Sequence, residues 1–278
     1  MTKKIGITFS SGFFGFFAHA GFLAAVRELG IKPVAYSGSS SGAILAAMAA
    51  CKMTDERIRE ILFGLKKEDF WDPQPLSRLA IACLKLFRGY TGYLEGIKFL
   101  RLLRKAFPVQ RIEQCSFPLA VVATNLTLMK EEVFTTGDIV SAIAASGAVP
   151  GLFKPVYING CFFVDGGVIN KAPVEALSKL TKVDRILVHF VDSGSFANTQ
   201  NDFVRRRFSF WAIQRNAVDI GRYEAYKTQC RLVRSRGIEI VETKVQTPAL
   251  GPSRLTGGPA AYRKAKKHAL KTLSELDL

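Results

Sequence analysis

The chain predicts one α/β domain with a mainly parallel sheet and helices on both faces, and three observations carry that prediction. Short apolar runs of strand length alternate with longer segments of helical composition along most of the sequence, as β/α units that cross over to a parallel sheet do. Two of the runs lead through glycine- and serine-rich turns, Ser10-Ser11-Gly12 and Gly38-Ser39-Ser40-Ser41-Gly42, into helices. With 278 residues and 48% hydrophobic content, the chain has material for one large core. Neither an internal repeat nor a low-complexity linker divides it.

In chain order, Ile5–Phe9 reads as the first strand, followed by the Ser10-Ser11-Gly12 turn and a helix over residues 18–29. A second strand over 33–36 runs toward the turn at 38–42. The helix over 41–53 follows from its Ala- and Leu-rich composition, since both residues are strong helix formers. Further helices are expected over 55–65 and 96–106. Between them, residues 66–95 read as an insertion of irregular and short helical structure, opened by Asp72-Pro73 and Gln74-Pro75. Its stretch 79–88 is more apolar than a surface helix needs, and reads either as a lid or membrane-contacting element or as a buried helix. Strands over 119–124, Cys161–Val164, 185–190 and 238–243 alternate with helices over 138–145, 173–181, 211–235 and 259–276. Residues 200–278 form a mainly helical close. Both glycine turns fall at the carboxyl ends of their strands, where open α/β sheets place their sites.

Composition narrows the chemistry. The five cysteines, Cys51, Cys83, Cys115, Cys161 and Cys230, lack C-x-x-C spacing, which argues against a zinc site or a disulfide framework and suits a reducing compartment. The three histidines are His19, His189 and His268; the first two read as packing residues, the third as part of a basic helix. Lys3-Lys4, the apolar stretch through Phe17 and Ala18-His19-Ala20 have the outline of a signal peptide, but Ser10, Ser11 and Gly12 interrupt it and a buried first strand explains Ile5–Phe9 better. No uninterrupted stretch approaches the roughly 20 apolar residues of a membrane span. The net charge of +16 is concentrated in residues 78–105, 203–236 and 254–271, which hold 22 of the 39 basic residues and 3 of the 23 acids. Such segments attract anionic lipid or nucleic acid, while a solvated helix face is the plainer reading of any one window.

Three motifs carry chemistry. Gly38-Ser39-Ser40-Ser41-Gly42 is a G-x-S-x-G pentapeptide between a strand and a helix, the setting of a nucleophile elbow with Ser40 at its apex. Gly38 and Gly42 leave room for the sharp turn, and the positive end of the following helix favours negative charge beside the serine. Chance supplies such a pentapeptide in roughly one chain in ten of this length, so the pattern gains its meaning from its neighbours. Phe162-Phe163-Val164-Asp165-Gly166-Gly167 places a carboxylate at the end of an apolar strand. It is either a simple Asp-Gly hairpin or an acid whose desolvation is put to use. Phe9 through Gly15 forms a glycine-containing turn whose backbone N–H groups suit an anion, or a plain strand–helix turn with aromatic packing.

Taken together, these elements resemble the patatin-like phospholipase family, which carries a glycine-rich oxyanion loop, a G-x-S-x-G elbow and a D-G-[GA] motif in that order. Here they are Ser11-Gly12-Phe13-Phe14-Gly15, Gly38–Gly42 and Asp165-Gly166-Gly167. The stretch from Ala145 to Phe153 is similar to the family's A-S-x-A-x-P-x-x-F segment, and Val168 to Val174 to its continuation after the aspartate. The resemblance covers about residues 5–190. It implies a three-layer α/β/α patatin-like fold and a Ser-Asp dyad: Ser40 attacks an ester carbonyl, and Asp165 accepts its proton and later activates water. An aspartate is a weak base unless partly desolvated, and Phe162, Phe163 and Val164 are the expected source of that setting. The resemblance further implies an oxyanion hole around Ser11, Gly12 and Phe13. This chain's own Phe13, Phe14, Phe16 and Phe17 either make the mouth apolar, with Phe14 and Phe16 against the substrate, or pack in the core. Of Phe13, Phe14, Phe16 and Phe17, at least two are expected in the core. One departure stands out: Gly15 falls where the family's loop has arginine and Phe16 where it has its last glycine, which removes a fixed positive charge and bears on headgroup recognition.

The resulting expectation is a cytoplasmic or peripherally membrane-bound serine hydrolase of phospholipid, lysophospholipid or neutral-lipid acyl esters, needing neither metal nor cofactor. The basic windows at 78–105 and 203–236 are expected to meet an anionic membrane face. An acyltransferase using the same serine is the alternative within the enzyme class. A nucleic-acid-binding protein is the alternative outside it, resting on charge alone. Headgroup, chain length and oligomeric state have no signature in the sequence.

Overall fold

The computed structural model describes residues 3–192, 210–248 and 250–276. Its elements are β1 (Ile5–Phe9), α1 (Phe16–Glu28), β2 (Ala35–Ser39), α2 (Ser41–Ala50), α3 (Asp55–Phe63), α4 (Leu76–Leu84), β3 (Gly92–Leu94), α5 (Ile97–Ala106), β4 (Leu119–Asn125), β5 (Lys130–Phe134), α6 (Ile139–Ser146), β6 (Gly151–Phe153), β7 (Val156–Ile158), β8 (Cys161–Val164), α7 (Val174–Leu180), β9 (Arg185–Asp192), α8 (Phe210–Ser235), β10 (Glu239–Gln246) and α9 (Gly258–Ser274). The main sheet runs β10-β9-β1-β2-β4-β8-β7, with β5 also paired to β4. From β10 to β4 every pairing is parallel, whereas β5, β8 and β7 are antiparallel additions.

Strand alternation puts a dry layer on each face. Ile5, Ile7 and Phe9 of β1 face the larger core with α1, α2 and α9, together with Ile58 and Leu62 of α3 and Leu103 of α5. Ile186, Val188 and Phe190 of β9 face the opposite way, onto Val174 and Leu177 of α7 and Tyr226, Cys230 and Val233 of α8. The three layers of the expected α/β/α fold are therefore present. Local chemistry sets several boundaries. Thr54 caps α3 through its hydroxyl, with Asp55 and Glu56 in the first turn, and Asp138 caps α6 by accepting from Ser141 N–H at 2.7 Å.

Differences from the sequence reading have physical causes. β2 occupies residues 35–39 rather than 33–36, because pairing with β1 and β4 carries the strand into the glycine turn. β5 reads Lys-Glu-Glu-Val-Phe and none of it is buried, so no apolar signal marks it. β3, β6 and β7 have three residues each, too few for a pattern. The last third is more than a helical close: its β10 forms one edge of the sheet, and α9 packs on α1. The signal-peptide outline dissolves, since β1 sits in mid-sheet and Phe16 to Val26 of α1 are buried.

In the insertion at 66–95, the buried-helix reading of residues 79–88 fails. Leu84 and Leu86 are 85% and 82% exposed, and Ile81 and Phe87 are exposed too. Among the described residues, no helix is long and apolar enough to cross a membrane. Cys51 and Cys115, far apart in sequence, stand free with their Sγ atoms 3.5 Å apart.

Candidate active site

Ser40 sits in a turn that only its two glycines permit. Its backbone has φ 56° and ψ −123°, a sparsely populated region that costs on the order of 1–3 kcal/mol unless the surroundings enforce it. They do so by close packing. A Cβ on Gly38 would lie 2.3 Å from the carbonyl oxygen of Gly42, and one on Gly42 would lie 2.3 Å from that of Phe9. The elbow is thereby pressed against the end of β1. Ser40 N–H donates to Ser146 Oγ at 2.8 Å, and the Ser146 hydroxyl donates to Val122 O at 2.6 Å. Ser146 at the end of α6 thus ties the elbow to β4; the sequence reading noted its segment but gave it no role.

Strand register explains how Asp165 reaches Ser40. β5 takes one edge of β4 along Val121 to Asn125, so β2 and β8 share the other edge. Ser39 pairs with Val122 and Val164 with Thr124, so two strands running in opposite directions end on either side of Ala123. The residue after each strand end is Ser40 or Asp165. The Ser40 hydroxyl donates to Asp165 Oδ2 at 2.6 Å, inside the direct reach expected of the pair. Asp165 is no hairpin corner. It opens a single 3-10 turn over Gly166–Val168 and accepts Gly167 N–H on Oδ1 at 2.6 Å.

Asp165 is 6% exposed, and burial pushes its carboxyl up to about 6 despite the opposing hydrogen bonds from Ser40 and Gly167 and the positive charges of Arg222 and Lys171. An acid with that value is ionised at neutral pH yet basic enough to take a proton. Phe163 and Val164 are buried beside it, but Phe162 is 50% exposed and packs on Tyr157, so it lies outside the desolvating wall.

The loop before α1 behaves differently at each expected position. Ser11 N–H donates to Lys171 O at 2.7 Å and Gly15 N–H to Gly12 O at 2.9 Å. Of the three residues expected to form an oxyanion hole, Ser11 is thus spent on a structural bond. The N–H groups of Gly12 and Phe13 have no partner among the described residues. Gly15 has little room for the family's arginine: a Cβ there would lie 3.0 Å from Ser41 Oγ and 3.2 Å from Gly12 O. Positive charge arrives from elsewhere. Arg222 of α8, ion-paired to Asp219, donates to Gly167 O at 2.9 Å, and Lys171 is buried with its ammonium 5.3 Å from the ring centre of Phe190. Burial and Arg222 draw Lys171 down to about 8.

The histidines brace the loop. His19 Nε2 bonds to Ser10 O at 2.9 Å, and its Nδ1 lies 2.7 Å from His189 Nδ1. Burial holds both below the usual imidazole range, His19 at about 3. Neutral His19 therefore donates to Ser10 O and accepts from His189 Nδ1–H. His268 is exposed on α9.

Ser40 opens onto a cavity of about 120 Å³. The cavity follows α2 past Ile44 and Met48, with Leu62, Leu103 and Phe153 among its walls, and no charged residue lines it among the described residues. Phe13, Phe14 and Phe16 all line it; Phe13 is exposed, Phe14 half-buried, and Phe16 and Phe17 buried, so two of the four belong to the core as expected. The hydroxyls of Ser11, Ser39 and Ser41 are buried without a partner among the described residues.

An uncharacterized NTE family protein of Mycobacterium tuberculosis is 29% identical over 177 residues, which is 64% of this chain and 46% of that protein. Lysophospholipase NTE1 of Yarrowia lipolytica is 29% identical over 197 residues, 71% of this chain and 13% of that protein. The chain therefore spans about half the length of the first relative and about an eighth of the second. Among solved structures, VipD from Legionella pneumophila superposes with a TM-score of 0.54 at 17% identity, covering 98% of this chain and 67% of that one, a likeness of fold. The family model of the patatin-like phospholipases matches residues 7–178, which takes in the loop, the elbow and Asp165, and the chain belongs to that family.

Proposed function

We propose that the chain hydrolyses lipid acyl esters through Ser40 and Asp165. The observation that carries this reading is the 2.6 Å bond between the two side chains at the mouth of an uncharged, apolar cavity. The ester carbonyl lies at the elbow with its acyl chain in the cavity. As Ser40 Oγ bonds to the carbonyl carbon, its proton passes to Asp165, and the oxyanion is held by the N–H groups of Gly12 and Phe13 and by the positive end of α2. Asp165 returns the proton to the departing alcohol. It next takes one from water, whose oxygen attacks the acyl-enzyme and releases the acid and free Ser40. A lysophospholipase is among the relatives, and an ester with one acyl chain suits a cavity of about 120 Å³ at the serine.

The membrane-facing element in this reading is the α4 corner. Leu84, Leu86 and Phe87 project there between Arg78, Lys85 and Arg88, an apolar tip in a basic setting that suits an anionic lipid surface. The insertion rejoins the fold where β3 pairs with β6, and Trp71, Leu94 and Phe153 beside that junction line the cavity. The expected basic window at 203–236 is described from residue 210 onward; residues 203–209 lie outside the described residues.

The test is hydrolysis of short- and long-chain esters by wild type, Ser40→Ala and Asp165→Asn. Loss of at least about a thousandfold in both variants is expected, and full activity in either overturns the assignment. For the surface, Leu84→Asp with Phe87→Asp is expected to reduce binding to phosphatidylglycerol-containing vesicles by tenfold or more and to leave soluble short-chain ester turnover near wild type. Unchanged vesicle binding refutes the docking face.

A further inference from the structure

A second cavity, of about 450 Å³, lies against the first. Among the described residues the two share four lining residues, Ile61, Leu65, Leu102 and Ala106. Each pair is spaced by four residues, so Ile61 with Leu65 and Leu102 with Ala106 follow one side of the α3 end and of α5 respectively. All four are half-buried, whereas their neighbours Leu62 and Leu103, which line the first cavity alone, are buried. The shared residues thus form a thin apolar wall with open space on either side.

The two sides differ in chemistry. Among the described residues, the first cavity contains Ser40 and has no charged lining, whereas the second is rimmed by Arg101, Lys105, Glu60 and Asp69 and includes no residue of the elbow or of the 11–15 loop. From Ser40 through Ile44 to Met48 the first cavity tracks about 12 Å of helix. Its volume holds roughly ten water-sized groups.

We infer that Ile61, Leu65, Leu102 and Ala106 are the stop that sets acyl-chain length. The inference rests on the proposed placement of the acyl chain in the Ser40 cavity. Each methylene buried on the Ser40 side is worth about fourfold in affinity. A methylene driven past the wall enters a charged, wet cleft and gains nothing. Affinity is therefore expected to climb with chain length and then break to a plateau or a fall, with the position of the break governed by the wall. Leu102→Ala opens the wall and moves the break to longer chains, while Ala106→Leu thickens it and moves the break to shorter ones.

The experiment is displacement of cis-parinaric acid by saturated fatty acids of about eight to eighteen carbons, on wild type, Leu102→Ala and Ala106→Leu, each also in the Ser40→Ala background. Melting curves and circular dichroism confirm folding. Shifts of about two carbons in opposite directions are expected. A break at one length in all three proteins, no break at all, or no displacement overturns the inference. Because the readout is binding, the two claims separate: shifted breaks without ester hydrolysis by the wild type sink the proposed function and leave the stop standing. Hydrolysis with an unmoved break does the reverse.

Discussion

Asp165→Asn is expected to make the protein more stable at neutral pH. The carboxyl goes from an ordinary value of 3.8 to about 6 on folding, because burial penalises its charge. Between those values the native state holds a proton that the unfolded chain has lost, so stability falls as pH rises through the window, and above about 6 the full cost is present. Two pH units at about 1.4 kcal/mol each set an upper bound near 3 kcal/mol. Asparagine fits the same place without the charge: its Oδ1 accepts Gly167 N–H and its Nδ2 donates to Ser40 Oγ, in place of the bonds the carboxylate makes. A net gain of about 1–3 kcal/mol at pH 8 follows, which is a rise of several degrees in Tm for a chain of this size. Urea unfolding at pH 8 and pH 4 measures it. The advantage of Asp165→Asn should be present at pH 8 and largely gone at pH 4, where the folded carboxyl is protonated and the unfolded one is only about half ionised. A less stable variant at pH 8, or an advantage that does not change with pH, would refute the assignment of burial as the dominant cause.

Two further perturbations test the surroundings. Arg222→Met removes a positive charge that favours ionised Asp165, so the acidic limb of the pH–rate profile should move up by about half a unit to one unit; an unmoved limb contradicts the electrostatic role. Gly42→Ala would put a Cβ 2.3 Å from Phe9 O and 2.6 Å from Ser10 O, both backbone atoms in a buried turn. A loss of roughly 3 kcal/mol or more is expected by urea unfolding, and a near-neutral result would show that the elbow is not pressed against β1.

Much of the architecture was readable because it depends on local pattern. Ile5–Phe9, with apolar Ile5, Ile7 and Phe9 at alternate positions, proves to be a mid-sheet strand, and the alanine run after Gly42 is α2. The elbow and Asp165 were readable as motifs. Their meeting was not, since it depends on β8 entering antiparallel beside β4 where β2 stops, a register fixed by pairing between distant segments. Arg222 had no signal for the same reason: its target is a carbonyl oxygen 55 residues away. Ser146 lay inside a recognised segment, but a hydroxyl that accepts from one backbone and donates to another has no pattern of its own. The loop was read least well. The resemblance implied N–H donors at Ser11, Gly12 and Phe13, and the bond from Ser11 N–H to Lys171 O, set by a distant segment, takes the first of them.

The central claim is that Ser40 is a nucleophile whose only base is Asp165. The most direct measurement is the pH dependence of covalent labelling of the intact protein by an alkyl fluorophosphonate, followed by mass spectrometry. The account predicts one adduct, located on Ser40 and absent from Ser40→Ala, with a rate that falls about tenfold per pH unit below about 6 and is flat above it. Labelling of another residue, or a Ser40 adduct whose rate in Asp165→Asn matches wild type across that range, would contradict it.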